Sequence, residues 1–270
     1  MRYALLSGLY EQLEKTPAKL KKTELIADLL KKTRPKELHK VVLLLVGRAF
    51  PGWSGEELGV AGQLMVRAIS KAFGVNEAEI AKKFKETGDL GLTAESFARA
   101  RRQRTLARKE LDVEDVFSGL QDIAKQTGAG SQDRKLNLIA GLMAHAGPKE
   151  VRYIVRTVLQ ELRVGVAEGI LRDAIAQAFG LDAKTVENAW FLRPDYGEIA
   201  QIAKEKGKPG LEAVKIELGM PMMVLLAEKS PDLKTALEAF EHAAMEFKYD
   251  GMRCISGFTP IYTRDKGIVT

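Results

Sequence analysis

Cysteine is nearly missing from this chain: Cys254 is the only one in 270 residues. That excludes an internal disulfide and any cysteine-based zinc cluster, and it agrees with a reducing compartment. Histidine is almost as scarce. His39, His145 and His242 are too scattered for ligand spacing, so no protein-bound metal is expected and each reads as a surface or cap residue. No run approaches the eighteen or so apolar residues of a membrane span, and Met1 to Tyr10 carries one charge and no long apolar stretch. The chain is expected to be cytoplasmic and free of membrane contact. A content of 46% hydrophobic and 29% charged residues describes a globular chain that needs no disordered tail and is long enough for two domains.

There is no acidic excess to repel a polyanion. The formal charge is +6, and residues 1–50 hold eleven Lys/Arg against five Asp/Glu, so the basic balance sits at the N-terminal end. Lys19, Lys21, Lys22, Lys31, Lys32, Arg34 and Lys36 form its densest part. A second basic run comprises Arg99, Arg101, Arg102, Arg104, Arg108 and Lys109. Either run could follow a phosphate backbone by displacing counterions, or serve as a solvated face.

Helix signals dominate to residue 208. Ser54-x-x-Glu57 and Asn76-x-x-Glu79 read as capping boxes, the first opening a helix through Leu64, Met65, Val66 and Ile69. Pro148 suits the first turn of a helix through Tyr153, Ile154, Val158 and Leu159. No fixed-period repeat is apparent, which favours an irregular helical domain over a solenoid. Beyond Gly207-Lys208-Pro209-Gly210, Val214 to Leu218 alternates like a strand and Asp232 to His242 reads as a helix. Strand-like runs surround Lys248 and Tyr262. The predicted organisation is mainly α: a helical domain over residues 1–208, then an incomplete α+β domain over 209–270.

The second part holds Glu246-Phe247-Lys248-Tyr249-Asp250-Gly251-Met252-Arg253. If extended, it turns Met245, Phe247 and Tyr249 to one face and Glu246, Lys248 and Asp250 to the other. Gly251 permits a tight turn. A lysine two residues before Asp-Gly and five before an arginine is the arrangement of enzymes that attach a nucleotide to lysine. A nucleophilic lysine needs its pKa lowered, and a polyphosphate with Mg²⁺ accounts for both the cations and the arginine. By spacing alone, a charged edge strand is the competing reading.

Longer stretches narrow the choice. Phe50 to Gly59, Gly128 to Lys135, Arg152 to Arg156 and Leu162 to Gly169 resemble the N-terminal DNA-binding domain of archaeal-type, ATP-dependent DNA ligases. Glu217 to Lys229 resembles the entry to their adenylation domain. The resemblance implies nick sealing in replication, repair and recombination, with ATP and Mg²⁺ as cofactors and nicked double-stranded DNA as partner to a monomer. It makes Lys248 the adenylated nucleophile, Glu246 the adenine-recognising residue, and Arg253 and Arg264 neighbours of ribose and phosphate. Gly128, Gly130 and Ser131 precede a predicted helix carrying Arg134 and Lys135, and Arg163 and Gly165 lie in a second turn. Helix-start amides of this kind bind phosphate without reading bases.

Gln103 and Leu106 occupy the place of a sliding-clamp-binding peptide, but Ala107 and Arg108 replace its aromatic anchors, so clamp contact is expected to be weak. The later motifs of the family do not precede Thr270. The chain is therefore expected to act as a fragment that binds DNA without forming the adenylate efficiently. The alternatives are an RNA-directed nucleotidyltransferase, disfavoured by the long helical domain, and a non-enzymatic DNA-binding module.

Overall fold

Among the described residues, twelve helices precede residue 213, and they pack in a repeated pattern. The computed structural model describes residues 1–100, 110–223 and 229–238, the isolated residues His242, Ala244 and Phe247, and the backbone of three short strands. The first half of the helical region comprises α2 (Lys19–Lys32), α3 (Pro35–Leu45), α4 (Gly62–Phe73), α5 (Glu77–Thr87) and α6 (Leu90–Ala100). The second comprises α8 (Ser131–His145), α9 (Pro148–Val158), α10 (Glu168–Phe179), α11 (Ala183–Leu192) and α12 (Tyr196–Glu212). Before each half comes one further helix, α1 (Tyr3–Lys15) or α7 (Val113–Ala124).

The halves are copies of one plan. Ile26-Ala27 corresponds to Ile139-Ala140, Pro35-Lys36-Glu37 to Pro148-Lys149-Glu150, and Ala72-Phe73-Gly74 to Ala178-Phe179-Gly180. Their main contacts are exchanged: α2 packs on α10 and α8 on α4, while α3 packs on α12 and α9 on α6. Likewise α1 contacts α9 and α7 contacts α3. Swapping the halves leaves this pattern unchanged, which is the signature of a two-fold relation. The exchange is visible in the backbone where Arg2 bridges Asp112. There Tyr3 N donates to Leu111 O and Val113 N to Met1 O, each at 2.9 Å. The expected irregular helical domain, with no fixed-period repeat, thus contains one interlocked duplication.

One continuous apolar core joins the halves. Leu30 and Ile26 of α2, Leu44 of α3, Ile69 of α4, Ile139 of α8, Ile154 of α9 and Ile175 of α10 are all fully buried. Each such side chain contributes about 1.5–3 kcal/mol through loss of apolar surface from water.

Two local readings change. Ser54 opens no helix: its Oγ accepts from Glu56 N at 3.3 Å within a turn, and α4 begins at Gly62. The apolar periodicity was genuine, but its start signal lay further along the chain. Asn76 caps α5, accepting from Ala78 N at 2.9 Å. Val214 to Leu218 forms no strand and pairs with none among the described residues; Ile216 is 61% exposed and Leu218 86%. Alternation alone does not make a strand without a neighbour to take its hydrogen bonds.

Toward the C-terminus, α12 breaks at Gly207, whose φ of 60° and ψ of −152° suit glycine alone. The helix then resumes to Glu212. A short helix, α13 (Leu233–Glu238), follows. The strands β1 (Cys254–Ser256), β2 (Ile261–Thr263) and β3 (Ile268–Val269) form an antiparallel sheet in that order, with Ile255 opposite Tyr262 and Tyr262 opposite Ile268. The molecule is mainly α. Among the described residues, no helix is long and apolar enough to cross a membrane.

Candidate nucleic-acid interface

Gly128, Gly130 and Ser131 form the turn into α8, with φ of 74° at Gly128 and 72° at Gly130. Ser131 N donates to Gly128 O at 3.2 Å. Arg134 braces this turn from within. Its Nε donates to Gln126 Oε1 at 2.9 Å, and its terminal nitrogens donate to Ala129 O at 3.0 Å and Thr127 O at 2.8 Å. The guanidinium therefore serves the shape of the loop before it serves any ligand.

Lys135, one residue on, reaches across to the other half. Its Nζ donates to Leu58 O at 2.7 Å, just before α4. Arg67 pairs with Asp133 and Lys71 Nζ donates to Asn137 at 2.6 Å, so α4 and α8 run side by side with their N-terminal ends together. The first cluster thus joins residues 128–131 to residues 58–62.

Lys22 makes the equivalent contact in the opposite direction. Its Nζ donates to Val164 O at 2.7 Å and to Gly165 O at 3.2 Å. The lysine is only 8% exposed, so it is structural despite lying in a lysine-rich run. The second cluster joins the start of α2 to Arg163, Gly165 and the start of α10. Gly59 and Gly165 are counterparts, with φ of 58° and 64°. A Cβ on Gly59 would lie 2.9 Å from Lys135 Nζ, and one on Gly165 2.5 Å from Lys22 Nζ. Glycine is needed at both for the backbone angle and for the lysine's approach.

Arg163 also has a positive φ, 56°, and is half-exposed. Its guanidinium lies 3.4 Å from Asp89 Oδ2 and pairs with Glu161. Asp89 is buried, accepts from Leu92 N at 2.8 Å and pairs with Arg156 Nε at 3.1 Å. Arg156 continues to Glu14, which also accepts from Tyr153 Oη at 2.9 Å. These links fix the angle of the turn from behind.

The helices that meet the clusters, α2, α4, α8 and α10, all lack a side-chain N-cap, and their N-cap residues are Ala18, Ala61, Gly130 and Ala167. So do α1 and α3, whose N-cap residues are Arg2 and Arg34. By contrast, α5, α7, α11 and α12 are capped by Asn76, Asp112, Asp182 and Asp195. First-turn amides without an internal acceptor remain available to an outside anion, and the helix dipole favours one.

The predicted turns at 128–131 and 163–165 accordingly lie in separate clusters. Their missed companions are Gly59, Lys22 and Asp89. Gly59 was readable as part of the Phe50–Gly59 stretch, whereas the roles of Lys22 and Asp89 depend on contacts distant in sequence. Lys248, Glu246, Arg253 and Arg264 lie outside the described residues, as do Gln103 and Leu106.

The chain is thus a duplicated helical fold in which glycine turns and helix starts without side-chain caps meet in two clusters. The family described as DNA ligase N terminus matches residues 2–176, and the chain belongs to that family. A DNA ligase of Thermococcus onnurineus is 45% identical over 94% of this chain and 45% of its own length. One from Methanothermobacter thermautotrophicus is 43% identical over 93% of the chain and 45% of its own length. A third, from Methanopyrus kandleri, is 39% identical over 94% and 46% respectively. The chain therefore spans somewhat under half the length of these curated relatives.

Proposed function

We propose that the chain grips nicked duplex DNA through its two glycine-turn clusters, as part of an ATP-dependent DNA ligase. The observation that best supports the DNA reading is the gathering of four uncapped helix starts into two clusters. A duplex offers phosphates on both sides of a groove, and main-chain amides accept them without sequence preference. Half-exposed Arg163 adds one cation to the second cluster.

Within the same proposal, Lys248 is the nucleophile. Its unprotonated Nζ forms a bond to the α-phosphorus of ATP as pyrophosphate leaves. The AMP then passes to the 5′-phosphate at the nick, and the 3′-hydroxyl displaces it. Glu246 recognises adenine, while Arg253 and Arg264 hold ribose and phosphate; Mg²⁺ neutralises charge on the phosphates. This part rests on the sequence motif and on the family.

Binding to a nicked duplex across a salt series tests the first part. Arg163→Ala is expected to weaken binding and lower the salt slope by about one. Arg134→Ala is expected to weaken it through collapse of the turn, with less change in slope. Unchanged affinity and slope for Arg163→Ala would remove that residue from the interface. Lys248 is tested by grafting these residues onto the C-terminal remainder of the Thermococcus onnurineus relative and supplying labelled ATP with Mg²⁺. Covalent label surviving Lys248→Ala would place the nucleophile elsewhere.

A further inference from the structure

A two-fold pair of turns fits a duplex equally well in either direction, because the duplex backbone has two-fold axes of its own. A nick has no such symmetry: a 3′-hydroxyl lies on one side and a 5′-phosphate on the other. Within the duplicated domain, orientation on a nick must therefore come from a difference between the halves.

Near the clusters, the largest difference is one segment. After α9, Gln160 turns with φ of 58° and three residues lead to Val164. At the equivalent place after α3, Gly47 turns with φ of 71° and ten residues, 48–57, lead to Leu58. The longer segment helps to line a cavity of about 420 Å³ bordered by Val46, Phe50, Leu58 and Gln160. It carries exposed Arg48, Glu56 and Glu57, none of which is ion-paired among the described residues. The buried indole N–H of its Trp53 also lacks a hydrogen-bond partner. Charge is inverted as well. Glu57 stands where the other half has Arg163, immediately before a lysine-braced glycine turn in each case.

We propose that residues 48–57, with the Glu57–Arg163 inversion, make this symmetric grip directional, so that the domain sits on a nick in one orientation. The proposal rests on the DNA-binding reading above. Arg163 strengthens the hold of its cluster on a backbone phosphate and Glu57 weakens that of the other, so reversing the protein exchanges unequal partners rather than equal ones.

The test places a fluorophore on exposed Lys184 of α11, as Lys184→Cys in a Cys254→Ser chain, and a donor at one end or the other of a nicked duplex. Energy transfer is expected to favour one end by about tenfold, equivalent to about 1.4 kcal/mol. Glu57→Arg, a surface change, should increase affinity and reduce that preference to about twofold. Replacing residues 48–57 with the three-residue sequence of 161–163 should abolish it. Equal transfer from both ends in the unaltered chain overturns the proposal, as does an undiminished preference in Glu57→Arg. Failure to bind the nicked duplex at all instead overturns the DNA reading on which the proposal depends.

Discussion

The joint between α6 and α9 and the joint between α3 and α12 occupy equivalent places in the two halves, yet they are held by different chemistry. Each contains a buried aspartate at a helix start. Asp89 accepts from Leu92 N, and Asp195 accepts from Gly197 N at 2.8 Å. Each also contains a glycine against the partner helix. A Cβ on Gly91 would come 2.7 Å from Arg152 O, and one on Gly197 2.7 Å from His39 O. The difference is the cation. Asp89 faces Arg156, permanently charged and itself buried, whereas Asp195 faces His39, whose Nε2 is 2.8 Å away. Duplication preserved the backbone plan while the charges on it diverged.

Removing the permanent cation gives the largest effect. Arg156→Ala leaves buried Asp89 without its closest counter-charge and Glu14 without two donors. A loss of about 3–5 kcal/mol is expected from denaturant unfolding, with weaker DNA binding as the support behind Arg163 loosens. A loss below about 1 kcal/mol would mean that this joint is no more dependent on its cation than the histidine joint.

The bracing lysines come next. Lys22→Met removes charged hydrogen bonds to Val164 and Gly165 and should cost about 1.5–3 kcal/mol. Lys135→Met should cost less, because Lys135 is half-buried where Lys22 is buried. The opposite ranking would break the view that the second turn is the more rigid. Glycine substitutions test the shared frame instead. Gly91→Ala and Gly197→Ala each force a methyl against a backbone carbonyl and should cost about 1–3 kcal/mol apiece. Thermal unfolding should rank them alike, and tolerance at only one would show that the equivalence is superficial.

Individual helices were more legible in the sequence than the relation between them. Asn76 and Pro148 marked their helices correctly because capping and φ preferences act within a few residues. The duplication was hidden because the matches are short, such as Ala72-Phe73-Gly74 against Ala178-Phe179-Gly180, and because residues 48–57 change the spacing between equivalents. Lys22 and Lys32 look alike in one basic run. Only the carbonyls of Val164 and Gly165, contributed by the other half, turn Lys22 into a buried strut. Of the side chains that support the glycine turns, Arg134 and Lys135 stood within the Gly128 to Lys135 stretch, whereas Lys22 and Asp89 lay outside any such stretch.

The smallest effect separates the two joints by pH. Hydrogen bonding to Asp195 raises the pKa of His39 above its ordinary value of about 6.5; burial and Lys40 oppose this, and Glu198 assists. The folded state thus holds this proton more tightly than the unfolded chain does. The resulting stability is complete below about pH 6.5 and is lost as pH rises through the raised folded value. His39→Gln should remove that slope, lowering stability on the acidic side by under about 1 kcal/mol and leaving the alkaline side nearly unchanged. Unfolding measured from pH 6 to 9 checks this against Arg156→Ala, whose deficit should not vary over that window because arginine does not titrate there. A slope that survives in His39→Gln would assign the pH response to another group and leave the α3–α12 joint as indifferent to pH as its counterpart.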